Sequence, residues 1–122
     1  MKKMITGPDF VALQVRNLDI SRKFWVEKVG MTELPGAPPG AVLFDTKPIP
    51  FAIRTPHVDL NAVDKLGWGI ALWMHSDYVK ALYDQLIRSD VKIISKIMPG
   101  AFGDQFTFED PDGYSIIVHG NK

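Results

Sequence analysis

A chain of 122 residues, 46% hydrophobic and 23% charged, is sized for a single globular domain that buries most of its core without covalent staples. Its 14 basic and 14 acidic side chains cancel, so no global field draws it to nucleic acid or to an anionic membrane. With no cysteine there are no disulfides, thiolate metal sites or thiol nucleophiles, a usage that fits the reducing cytoplasm.

The opening "MKKMITGPDF" carries basic residues with no apolar stretch behind them, and no apolar run approaches the roughly 18 residues of a membrane helix. Neither an export signal nor a span is expected. Alternation then sets Val11, Leu13 and Val15 against Ala12, Gln14 and Arg16, and gives way to helical spacing through Ile20, Phe24 and Val29. That is a strand followed by a helix. Asp19 or Ser21 stands where an N-cap belongs, and Gly30 where a left-handed C-terminal residue belongs. A short strand "MTEL", a Pro/Gly loop over 35–40, and the strands "AVLFDT" and "PFAIRT" joined by a turn at Lys47-Pro48-Ile49-Pro50 complete a βαβββ unit.

The segment "PHVDLNAVDKLGW", 56–68, reads as a linker. The same order then returns: strand "GIALWM" from residue 69, amphipathic helix "DYVKALYDQLIRS", strand "VKII", and a closing hairpin "DQFTFEDPDGYSIIVH". Setting Val11-Ala12-Leu13 on Ile70-Ala71-Leu72 puts Phe24 on Tyr83, so the chain is an internal repeat of about 60 residues. The boundaries are about 8–56 for module one, about 57–67 for the linker and about 68–120 for module two, within one domain over 1–122. The second copy departs mainly at "SKIMPGAFG", 95–103, whose glycines and proline suit a mobile rim or lid.

The paired βαβββ pattern, opened by "FVALQVRNLDISRKFWVEKVGM" and closed by "FEDPDGYSIIV", resembles the vicinal oxygen chelate superfamily of glyoxalase I, extradiol dioxygenases and bleomycin-resistance proteins. The resemblance runs over roughly residues 8–119. It implies an α+β fold in which two tandem βαβββ modules form a cupped eight-stranded mixed sheet around a ligand cavity, commonly completed by a dimer partner. Metal enzymes of that group hold a divalent ion with His or Glu from the first and last strands of each module. Carried over by position, those ligands fall on Phe10, Arg54, Gly69 and Ile117. Arg54 is preferred over Ile53 because Phe51 and Ile53 then cover the helix side. None of the four offers a donor, and the guanidinium repels a cation, so no metal and no cofactor are expected.

Alternation lists cavity residues independently of any family. Val11, Leu13, Val15, Ile70, Leu72 and Met74 form apolar rows for packing beneath the helices, while Phe10, Ala12, Gln14, Gly69, Ala71, Trp73, Ser115, Ile117 and His119 share the other face. Phe10, Trp68 and Trp73 supply flat apolar surface, and Gln14, Arg54, Ser115 and His119 supply hydrogen bonds and charge. Trp68 and Trp73 either stack on a planar ligand, as the resemblance to bleomycin-resistance proteins implies, or fill a core or dimer seam, whereas Trp25 belongs to the first helix and its core. His57 lies after a strand. His75 lies at the far end of its strand from Gly69, in the helix-facing register only if the strand continues, and no close histidine pair has ligand spacing. No Walker loop, dinucleotide fingerprint or Gly-x-Ser-x-Gly is present.

The expectation is a cytoplasmic protein, a homodimer by the resemblance, that binds a small planar or anionic organic ligand without a metal and has no nucleic acid or membrane partner. The ligand-binding residues expected are Phe10, Gln14, Arg54, Trp68, Trp73, Ser115, Ile117 and His119. The alternatives are a glyoxalase- or dioxygenase-type enzyme with a non-standard site, metal-free through His119 and Arg54 or metal-dependent through other ligands, and a non-catalytic interaction module.

Overall fold

The computed structural model describes residues 2–121. Module one runs β1 (Val11–Gln14), α1 (Leu18–Lys23) continued by a π-helical turn (Phe24–Val29), β2 (Glu33–Leu34), β3 (Ala41–Phe44) and β4 (Phe51–Arg54). After a 3₁₀ turn (Leu60–Ala62), module two runs β5 (Leu72–His75), α2 (Val79–Arg88), β6 (Ile93–Gly100), β7 (Gly103–Glu109) and β8 (Ser115–His119). The eight strands form two four-stranded mixed sheets ordered β1-β4-β3-β2 and β5-β8-β7-β6. In each, the first strand pairs in parallel with the last, and the rest are antiparallel. The sequence repeat is therefore a structural one.

Register explains the two faces. Val11 lies opposite Phe51 and Leu13 opposite Ile53, while Ala12 faces Ala52 and Gln14 faces Arg54, so Arg54 shares the side away from the helices as alternation required. In module two Leu72 pairs with Ile116 and Met74 with Val118, leaving Trp73, His75, Ile117 and His119 on the open face. The helix-side rows of both sheets enter one core. Trp25 is wholly buried, with ring centroids 4.8 Å from Phe51 in its own module and 5.9 Å from Phe108 in the other. Each such side chain contributes about 1.5–3 kcal/mol on burial, which joins the modules as firmly as it fills either one.

Several local expectations change. The cap of α1 is Asn17, not Asp19 or Ser21: Asn17 is extended and its Oδ1 accepts from the Ile20 amide at 2.9 Å, whereas Ser21 is buried inside the helix and Asp19 pairs with Lys23. Gly30 closes the helix at φ 92°. Strand β5 begins at Leu72 rather than residue 69, because Gly69 sits at φ 84° inside a turn closed by the Ile70 amide on the Gly67 carbonyl. Residues 95–103 are mostly ladder instead of loop. Strand β6 runs to Gly100 with register shifts near Ser95, and β7 starts at Gly103, so only Ala101 and Phe102 form the tip. Strand β5 also continues to His75, yet the pleat turns His75 to the open face with Trp73 and not toward the helices. No helix among the described residues is long and apolar enough to cross a membrane.

Candidate functional site

The Asp-Pro-Asp-Gly-Tyr turn between β7 and β8 fastens the modules together. Within the turn, Asp110 Oδ1 accepts from the Asp112 amide at 3.0 Å and from the Tyr114 amide at 2.8 Å. Asp112 then reaches out: its Oδ1 accepts from the Arg16 amide at 2.8 Å and its carbonyl from Arg16 Nη1 at 2.9 Å. Arg16 Nε donates to Asn61 Oδ1 and Nη2 to the Leu60 carbonyl, so one guanidinium ties the end of β1, the linker and the β7–β8 turn. Tyr114 adds a hydroxyl donated to the Gln14 carbonyl at 2.7 Å. Burial dominates at Asp110, which is 4% exposed with no protein partner for Oδ2; helped by the neighbouring Asp112 charge against the backbone hydrogen bonds, it raises the carboxyl to about 6. Burial, then the charges of Asp110 and Asp112, likewise raises the Tyr114 phenol.

Beside this clasp a cleft of about 610 Å³ opens along the seam, between β1 on one side and the linker and the start of β8 on the other. Its walls are largely apolar, from Val11, Leu13, Val58, Leu66 and Ile70, and Trp68 stands at its edge, 85% exposed. The polar groups are few. Gln14 Oε1 accepts from the His57 amide at 2.6 Å, and Lys65 Nζ donates to the Gly113 carbonyl and to Ser115 Oγ.

Of the residues expected at the site, Gln14, Trp68 and Ser115 come together in this cleft. Trp73, Ile117 and His119 do not line it and sit farther along the open face of the second sheet, Ile117 and His119 in the same β8 row as Ser115 and Trp73 beside Ile117 on β5. There His119 meets Trp73 at 5.8 Å, Phe102 at 5.9 Å and His75 at 5.5 Å, all edge-on, and the β6–β7 tip carries Phe102 onto the cluster. His75 Nε2 lies 2.8 Å from Asn121 Oδ1. Arg54 lies on the first sheet, its Nε donating to the Thr55 carbonyl at 3.1 Å, and Phe10 precedes β1, 56% exposed.

The four positions where the superfamily holds its ion do not fit one. Ile117 faces Trp73 across the ladder, Gly69 lies in a turn, Phe10 is apolar and Arg54 is a cation. Among the described residues no group of three or more His, Asp or Glu side chains is placed to hold a metal ion.

Sequence reasoning missed Lys65, Tyr114, Phe102 and His75. Lys65 lies in the linker, where no periodicity assigns a face. Tyr114 was visible in the turn motif only as a fold marker. Phe102 lies within the stretch read as a rim, and His75 needed only the two-residue pleat carried one step beyond Trp73.

A sequence model described as the Glyoxalase/Bleomycin resistance protein/Dioxygenase superfamily matches residues 7–118. No curated protein matches. Among solved structures, one described as of the glyoxalase family from Bacillus anthracis superimposes with a TM-score of 0.79 at 20% identity, covering 100% of both chains. TnmS3, an antibiotic binding protein from a Streptomyces species, gives 0.73 at 20% identity over 99% of this chain and 100% of that one. FosX, a fosfomycin resistance protein from Listeria monocytogenes complexed with Mn(II) and a dihydroxypropylphosphonic acid, gives 0.71 at 17% identity over 98% and 93%. At these identities the likeness is one of fold.

Proposed function

The chain belongs to the glyoxalase/bleomycin resistance protein/dioxygenase superfamily, and we propose that it is a cytoplasmic protein binding a small planar or anionic organic ligand without a metal. The observation that carries this reading is the seam cleft. Its volume of about 610 Å³ lies within the range of small-molecule sites, its walls are mostly apolar, and a few polar groups converge on it. Chemistry through a chelated ion has no support in the four superfamily positions, which supply no ligand atom. The antibiotic-binding relative makes sequestration of a drug or metabolite a natural use for such a cleft.

Fluorescence titration of EDTA-treated protein against a panel of planar aromatic compounds tests the proposal. Saturable binding is expected for some of them, unchanged by added Ni, Zn, Mn or Fe and weakened about tenfold or more by Trp68→Ala, a loss of about 1.4 kcal/mol. Binding or turnover that appears only with near-stoichiometric metal overturns it. Light scattering on the same sample reads whether the chain is the homodimer we propose, as the exposed apolar side chains of Trp68, Ile70 and Phe102 suggest.

A further inference from the structure

We propose that the seam cleft selects organic anions, a monoanionic aromatic acid above all, and that Lys65 is the residue that sets this selectivity. The inference rests on the ligand-binding reading and names the ligand class. It starts from the donors and acceptors around the cleft. Among the described residues Lys65 is the only charged side chain lining it, and no ion pair there involves Lys65. The ammonium is half-buried and has three N–H donors. Gly113 and Ser115 accept two of them, leaving one without a protein acceptor.

The neighbouring groups have the same bias. Gln14 has its side-chain oxygen already accepting from the His57 amide, while among the described residues its NH₂ has no protein acceptor and both hydrogens are left to donate. Ser115 Oγ accepts from Lys65, which leaves the hydroxyl hydrogen to donate. The polar part of the cleft is thus rich in donors and carries an unneutralised positive charge beside apolar walls, where water screens charge poorly. A carboxylate or sulfonate satisfies these donors with charge-assisted hydrogen bonds, and a neutral amide of the same shape does not. The flat body of such an acid has the apolar walls and Trp68 to lie against. Arg54, the cation singled out from sequence, is outside the cleft.

Calorimetric titration with 2-naphthoate and its neutral isostere 2-naphthamide tests this. In the wild-type protein naphthoate is expected to bind at least tenfold more tightly, and added salt should weaken naphthoate while leaving naphthamide alone. Lys65→Met should bring naphthoate down to the naphthamide level with naphthamide itself within about twofold, and Lys65→Arg should keep the preference. The salt series needs no variant, so a Lys65→Met protein that fails to fold does not rescue the idea. Equal, salt-independent affinities for both probes, each weakened by Trp68→Ala, overturn the anion selectivity and leave the cleft as a binding site. If neither probe binds, the cleft reading falls and the selectivity with it.

Discussion

The two modules share a fold and differ at their strand ends. With β1 and β5 matched through Leu13 and Leu72, Arg16 corresponds to His75 and Gln14 to Trp73. Arg16 reaches across to Asp112 in the other module and is held on the way by Asn61 and the Leu60 carbonyl of the linker. His75 stays at home, against Asn121 and the ring of His119. The turns before the last strands diverge in the same sense. In module one the turn is self-contained, with Thr46 Oγ donating to the Ile49 carbonyl and Lys47 projecting into solvent; in module two it supplies the clasp. The helix-facing rows, by contrast, are aliphatic or aromatic in both copies. A duplicated scaffold has kept the positions that make its core, and its ends have parted into a fastening in one copy and an open aromatic face in the other.

Breaking the clasp is the strongest test of that contrast. Arg16→Ala removes the guanidinium and leaves the Asp112 carboxylate, only 5% exposed, without its cation. A loss of about 2–3 kcal/mol in denaturant unfolding is expected, because the guanidinium's hydrogen bonds to Asp112, Asn61 and the Leu60 carbonyl go with it, while the carboxylate keeps the Arg16 amide and gains water. Lys47→Ala, at an 88% exposed cation of the module-one turn, should stay within about 0.5 kcal/mol of wild type. Equal effects at the two positions would mean that the clasp holds nothing the shared core does not already hold.

Acidity probes the same turn by another route. Burial pushes the Asp110 carboxyl up to about 6 in the folded protein from its ordinary value of 3.8, so the native state binds the extra proton between those pH values. Its contribution to stability is full below about pH 4 and is lost as pH rises through 6. At about 1.36 kcal/mol per unit, the shift corresponds to roughly 3 kcal/mol at most. Asp110→Asn keeps an acceptor for the Asp112 and Tyr114 amides and carries no charge. Its stability relative to wild type should therefore improve by up to that amount between pH 4 and pH 7. Parallel pH–stability curves for the two proteins would remove the buried charge from the account.

What the sequence made legible follows from the range of each signal. The pleat is a local, two-residue rule, so Val11, Leu13 and Phe51 could be separated from Ala12, Gln14 and Arg54 without any structure. The repeat is equally plain, because it compares the chain with itself. The rest depends on which strand or loop lies beside which. Nothing local announces that Lys65 crosses to Gly113 and Ser115, that Arg16 finds Asp112, or that His75 faces His119. Strand starts failed for a backbone reason: "GIALWM" alternates convincingly, but the left-handed conformation of Gly69 delays the ladder to Leu72. Three of the eight expected site residues share the seam cleft because alternation assigns a face without saying how far along it a cavity extends.

The smallest expected effect separates the two halves of the clasp. Tyr114→Phe removes the hydroxyl donated to the Gln14 carbonyl and leaves the ring, which packs closely over Gly67. The loss should be about 1 kcal/mol, the worth of one partly buried hydrogen bond. Since Tyr114 and Arg16 both fasten the β7–β8 turn to the end of β1, combining the two substitutions should cost less than their sum, by about 0.5 kcal/mol or more. Strict additivity would show that the hydroxyl and the guanidinium act as independent fastenings. The module-two turn would then be two separate contacts with module one, and the contrast with the self-contained module-one turn would be the plain sum of the two.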